Sequence, residues 1–220
     1  MPLQTFHNLD QEKQETILNA CFEEFALNDY QNASVSNIVR NLGISKGGFY
    51  RYFKDKKDLY TYLIDQATKM RLQGVENLFA ETDDFYEILV KNFYQKIRFD
   101  LDHPIHGQFL YNMSQERYSD DLGDLMLQTK TRIMNLTKMM FQSFQAGNKI
   151  RTDIDPDIIA FAIVQIQLGV YDFLLIKNQI DVQKNIKGKN PSLVIPEQEI
   201  MDVVKGFAEI LRSGLKHATT

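Results

Sequence analysis

SVSNIVRNLGISKGGFYRYF, residues 34–53, reads as two short helices joined by a tight turn. Ser34 is placed to cap the first helix by accepting an orphan backbone N–H, with Asn37 where a capping-box partner stands. Val35, Ile38, Val39 and Leu42 recur at helical spacing and define one apolar face. Gly43 supplies the left-handed residue that ends such a helix. Ile44 returns to the core and Ser45 caps a second helix running from Lys46 to Phe53, whose Phe49 and Phe53 face inward. Lys46, Tyr50 and Arg51 are left facing outward. Gly47 and Gly48 cost about 1 kcal/mol each against alanine in a helix. A surface that the backbone must approach closely explains them, and beside Lys46 a phosphate backbone fits. The alternative is a loose turn between two core helices.

Charge supports the first reading. The chain carries a net charge of -4, which argues against indiscriminate coating of nucleic acid. Between residues 40 and 57, however, Arg40, Lys46, Arg51, Lys54, Lys56 and Lys57 face Asp55 alone. A confined cationic patch on an acidic remainder is the footprint of a site-specific binder. With 44% hydrophobic residues in 220, there is chain enough for a real core.

These residues resemble the DNA-binding region of TetR-family transcriptional regulators. Ser34, Val35, Ile38, Gly43, Ile44, Ser45, Lys46, Gly47, Phe49, Tyr50, Tyr52, Phe53, Lys56 and Leu59 match that family's pattern in order and spacing. Asn37 stands where an acidic residue is usual, and Gly48 where a threonine or serine is frequent, so Gly48 offers no hydroxyl. The resemblance implies a three-helix head and a helical body that dimerises through its last two helices and holds an effector. It also implies an inverted-repeat operator of double-stranded DNA. The DNA-facing set is Ser34, Ser36, Ser45, Lys46, Gly47, Gly48, Tyr50, Arg51, Lys54 and Lys56.

The rest of the chain reads as helix after helix, without sustained alternation, so the fold class is all-α. Residues 10–27 place Ile17, Leu18, Cys21, Phe22 and Phe25 on one face, and Tyr30 packs back after the Asn28-Asp29 break. Asp55 caps a fourth helix with Asp58 at its third position, and a stripe through Leu59, Leu63, Ala67, Met70, Gly74 and Leu78 carries it to about Ala80. A domain boundary is expected between residues 55 and 56, giving a head of 1–55 and a body of 56–220. In the body, helices are expected over 84–100, from Pro104, over 119–146 closed by Gly147, over 157–178 and from Pro196. Residues 179–195 read as a loop.

The window 158–176 contains Gln165, Gln167, Gly169 and Asp172, and so reads as a buried helix rather than a membrane span. With no signal-peptide pattern at the start, a cytoplasmic protein is expected. The two long apolar helices near the end, with Gly169 and Gly206, read as an oligomer interface or as ordinary core. Phe93, Phe109, Asn112, Met113, Phe144, Gln167 and Tyr171 are candidates to line an effector chamber, with core packing the alternative for each.

Lone Cys21 reads as a buried thiol. His103 and His106 lack a third ligand, so neither metal nor cofactor is expected. Nucleophile elbows, HExxH, Walker A and dinucleotide motifs are absent from the sequence, which argues against an enzyme. The implied function is a ligand-responsive repressor released from its operator by a small apolar or amphipathic effector. A body that engages a protein partner instead, or a carrier of hydrophobic molecules, remains as an alternative.

Overall fold

The computed structural model of the chain describes residues 2–73, 82–117, 119–189 and 193–215. Among them every regular element is a helix: α1 Gln4–His7, α2 Gln11–Leu27, α3 Val35–Leu42, α4 Lys46–Phe49, α5 Lys56–Leu72, α6 Phe85–Asp102, α7 Pro104–Gln115, α8 Leu125–Ala146, α9 Pro156–Lys177, α10 Val182–Lys187 and α11 Glu197–Leu215. The continuation of α5 expected toward Ala80 lies outside the described residues.

Contacts divide the chain into two compact units. The first comprises Met1–Arg71, Asp102–Met126 and Val182–Ser192; the second comprises Leu72–Leu101, Leu127–Asp181 and Leu193–Thr220. The first unit thus draws in α7 and α10 from far along the chain, a different division from the boundary expected at 55/56. Its core is aromatic. Phe25, Tyr60 and Phe109 are almost wholly buried, with ring centres of Phe25–Tyr60 at 5.0 Å and Tyr60–Phe109 at 5.5 Å. Tyr30 does pack back, its ring 5.0 Å from that of Tyr60. At the other end Phe6 of α1 closes over Phe53, 5.2 Å away.

In the second unit Phe85, Phe141 and Phe144 form another aromatic cluster, with Phe85 5.3 Å from Phe141 and 5.5 Å from Phe144. Its interior also holds a polar line. On α6, Lys96 and Asp100 pair at 2.8 Å with both side chains nearly excluded from solvent. Lys96 Nζ also lies 4.8 Å from the centre of the Tyr171 ring on α9, and Gln167 donates to Asn92 at 2.8 Å. Two charges are tolerated there because each neutralises the other.

Several local expectations are met by the chemistry that suggested them. Pro156 and Pro104 open their helices at the first turn. Gly43 ends α3 at φ +66°. Others are corrected. The helix expected from Ser119 starts at Leu125, because Ser119 holds a tight turn and Gly123 adopts φ +53°. That helix ends at Ala146 as expected, but the left-handed residue beyond it is Asn148, φ +52°, and not Gly147. The polar segment expected as a loop contains α10, whose Val182 and Ile186 are buried. Helix α9 is long and apolar enough to cross a membrane by length and composition alone, yet only 33% of its most apolar window is buried within the chain. It is therefore not the buried helix expected.

Cys21 is buried, and burial pushes its thiol up, as expected of an inert group. His106 packs its ring 4.3 Å from that of Phe22. Burial, with His103 nearby, holds His106 down at about 4 against an ordinary 6.5. The unfolded chain binds this proton more readily than the folded one, so stability is full above about 6.5 and is lost as pH falls toward 4. A melting temperature that declines between about pH 7 and pH 5 is expected, and His106→Leu is expected to flatten that decline.

Candidate nucleic-acid interface

The helix-turn-helix presents its outward side as the sequence requires. Phe49 and Phe53 are wholly buried, while Ser45, Lys46, Gly47, Tyr50, Arg51 and Lys54 are exposed. Ser45 accepts from Gly48 N at 3.0 Å, the cap expected. α4 is shorter than expected: residues 50–52 continue as turns, with Arg51 N bonded to Gly48 O at 3.3 Å and Tyr52 N to Phe49 O at 2.9 Å. The two glycines differ. A Cβ at Gly48 would sit 3.1 Å from Ser45 Oγ and press on the cap, whereas a Cβ at Gly47 would meet nothing within 4 Å. Packing therefore explains a small residue at Gly48 and leaves Gly47 without a reason internal to the chain.

Two expected roles are corrected. Ser34 occupies the cap position of α3, but its side chain makes no capping bond. Its backbone N–H instead donates to Glu24 Oε1 at 2.8 Å, and Asn37 Nδ2 reaches the same oxygen at 3.3 Å. Glu24, buried on α2, takes the place of the capping box. Lys56 was expected to hold a phosphate. Its ammonium instead donates to Tyr30 O at 2.7 Å and Ala33 O at 3.1 Å, and lies 4.5 Å from the centre of the Tyr30 ring. Those carbonyls occupy its donors, so Lys56 braces the turn before α3. Ser36 is exposed on α3, and Arg40 beside it donates to Asn37 Oδ1 at 3.0 Å. Asp55 and Asp58 form the reciprocal box at the start of α5: Asp58 N donates to Asp55 at 2.7 Å, and Lys54 N to Asp58 at 3.2 Å. This box fixes the backbone at Lys54 and leaves its ammonium outward.

Sequence reasoning missed the partners of the Tyr30 turn. Tyr30 N donates to Glu116 Oε1 at 2.5 Å. Asn112 Nδ2 donates to the carbonyls of Phe25 and Ala26 at 3.1 and 2.9 Å, satisfying the end of α2. Burial pushes the Tyr30 phenol up to about 12, with Asp121, Asp55 and Glu116 adding to the effect. The available signal was the spacing of Gln108, Asn112 and Glu116, four apart, beside apolar Phe109 and Met113.

The residues expected to line one chamber divide between the units. Phe109, Asn112 and Met113 belong to the first, where Phe109 and Met113 are core and Asn112 caps α2. Phe93, Phe144, Gln167 and Tyr171 belong to the second, all but Gln167 buried. A cavity of about 570 Å³ in the first unit is lined by Asn28, Asp29, Asn112, Glu116, Arg117 and Gln183 among others. One of about 410 Å³ in the second is lined by Asp83, Phe85, Tyr86, Lys149 and Arg212 among others.

Residues 17–63 match the model of the family described as bacterial regulatory proteins, tetR family. Over 89 residues the chain is 29% identical to an HTH-type transcriptional regulator of Staphylococcus aureus (strain MRSA252), covering 40% of this chain and 46% of that protein. The chain spans about half the length of the curated relatives it matches. A solved TetR family transcriptional regulator from Chloroflexus aurantiacus J-10-FL is similar over 99% of this chain and 100% of its own, at 24% identity and a TM-score of 0.76. FadR from Bacillus subtilis, solved in complex with stearoyl-CoA, is similar over 91% of this chain and 98% of its own, at 16% identity and a TM-score of 0.68. The helix-turn-helix region, residues 17–63, thus matches the tetR family of bacterial regulatory proteins, and the all-helical fold is similar to that of solved TetR family regulators.

Proposed function

We propose that this chain is a cytoplasmic, homodimeric repressor that releases an inverted-repeat operator when its body binds a small apolar or amphipathic effector. Residues 1–55 meet DNA, and residues 56–220 serve effector binding and dimerisation. The observation that carries the DNA half is Gly47, exposed beside Lys46 with open space over its Cα. Ser45, Lys46, Gly47, Tyr50 and Arg51 approach bases and backbone, and Ser34, Ser36 and Lys54 hold flanking phosphates. Gly48 contributes only backbone, and Lys56 acts from behind.

Dimerisation through α9 and α11 is supported by the large apolar side chains that these helices leave in solvent. Phe161 is 54% exposed and Ile176 77% on α9, and Ile210 is 65% exposed on α11. A Cβ at Gly169 or Gly206 would meet nothing within 4 Å, so neither glycine serves a contact within the chain. A two-fold pair would set its recognition helices about 34–36 Å apart, one turn of DNA. Phe161→Asp is expected to shift the protein toward monomer in sedimentation at micromolar concentration while leaving its helical content intact.

For the effector, buried Phe93, Phe144 and Tyr171 are the apolar candidates, with Gln167, bonded to Asn92, the polar one. FadR's complex with stearoyl-CoA supports a long-chain acyl compound as the first probe. Stearoyl-CoA added to the protein–operator complex is expected to lower the anisotropy of labelled operator. Unchanged operator affinity at saturating stearoyl-CoA removes that class.

A second reading, in which the body engages a protein, is favoured by the exposed face of α8. Leu127, Leu136 and Met139 lie there along an open groove of about 490 Å³. Retention of operator affinity by Leu127→Ser, Met139→Ser protein, together with its failure to respond to any apolar molecule, would favour this reading.

A further inference from the structure

We infer that α7, although it begins only at Pro104, well beyond the helix-turn-helix in the chain, is a working part of the DNA-binding head, with Asn112 and Glu116 as its positioning residues. The inference rests on the DNA-binding reading above. It starts from the short connection, residues 28–33, that launches α3.

Both polar groups of the Tyr30 backbone are held there by ionic side chains of opposite sign. Its N–H donates to Glu116 Oε1 at 2.5 Å, and its carbonyl accepts from Lys56 Nζ at 2.7 Å. The same ammonium reaches Ala33 O at 3.1 Å, one residue before Ser34, whose N–H is held by Glu24 at 2.8 Å. Charge-assisted bonds of this kind are about twice as strong as neutral ones, so the turn has a defined geometry. α3 begins at its end and α4 follows one tight turn later. The setting of the turn is therefore the setting of the recognition surface.

α7 supplies this control from one polar stripe. Gln108 donates to Asn112 at 2.8 Å, Asn112 donates to the last carbonyls of α2, and Glu116 takes the Tyr30 N–H. Phe109 anchors the stripe between Phe25 and Tyr60.

The test compares the parent, Glu116→Ala, Glu116→Gln and Asn112→Ala on two duplexes of equal length. One is enriched by the parent from a randomised pool, and the other is scrambled. Glu116→Ala is expected to lose at least about tenfold on the enriched duplex and less than about twofold on the scrambled one, because every phosphate-facing cation remains. Glu116→Gln keeps an acceptor oxygen and is expected to recover most of the loss. A purely structural role predicts a lower melting temperature with an unchanged ratio between duplexes.

Amide exchange on the unmodified protein gives a second reading that needs no variant. The enriched duplex is expected to slow exchange at Tyr30 and along residues 104–115. Glu116→Ala affinity within about twofold of the parent, or exchange in α7 indifferent to DNA, overturns the inference and leaves the DNA-binding reading standing. A parent that enriches no duplex overturns both.

Discussion

Gly47→Glu is expected to abolish operator binding and to leave the fold at least as stable as before. A Cβ at this position meets nothing within 4 Å, and the backbone is helical with negative φ, so the substitution meets no steric cost within the chain. Replacing glycine in a helix recovers up to about 1 kcal/mol, and a carboxylate in the first turn is favourable to the helix dipole. At the DNA surface both terms reverse. The side chain stands off the backbone that must approach closely, and its charge faces phosphate beside Lys46. Like charges forced together cost several kcal/mol, and each 1.4 kcal/mol is tenfold in affinity, so a loss of at least roughly 100-fold is expected. Anisotropy with labelled operator, alongside thermal melting, separates the two effects. A variant that melts normally and still binds would mean that Gly47 faces solvent for no reason connected with DNA.

Phe109→Ala is expected to have the largest effect on stability, and its effect falls on the head. Phe109 lies in α7, yet its ring is wholly buried against Phe22 at 5.3 Å, Tyr60 at 5.5 Å and Phe25 at 6.3 Å. Truncating a buried phenylalanine typically costs about 3–5 kcal/mol, a large share of the 5–15 kcal/mol that holds an ordinary domain. Chemical denaturation followed at residues of the helix-turn-helix is expected to show the first unit unfolding at lower denaturant. If Phe109→Ala leaves the head's midpoint unchanged, α7 is not part of its core. A fragment ending near residue 55 is expected to fold poorly for the same reason, since it lacks Tyr60 and Phe109 together.

What the sequence made legible was local. Gly43, Ser45, Asp55 and Asp58 act within four residues of their partners, and their roles follow from backbone chemistry that any chain must satisfy. The outward side of the helix-turn-helix was legible because buried Phe49 and Phe53 leave their neighbours facing solvent. The errors share one cause, which is competition from partners distant in sequence. Ser34 has a capping side chain, but the bonds at that end that come from outside the helix go to Glu24, ten residues earlier, which accepts the Ser34 N–H and the Asn37 side-chain amide. Lys56 lies in a cationic run, but three carbonyls of residues 30–33 compete for it successfully. Asn112 and Phe109 suit a chamber wall by type, but α2 claims both. In the second unit the reverse holds: α9 is apolar on nearly every side, so its sequence alone marked no boundary between core face and exposed face.

The most direct measurement of the central claim is enrichment of duplexes from a randomised pool by the full chain, followed by a salt titration of the winner with Lys46→Ala beside the parent. The account predicts an inverted repeat with half-site centres about one helical turn apart, bound with an affinity that falls steeply with salt. It predicts that Lys46→Ala weakens binding and lowers the salt slope by about one. A pool that yields no preferred duplex, or binding that is weak and indifferent to Lys46, would contradict it.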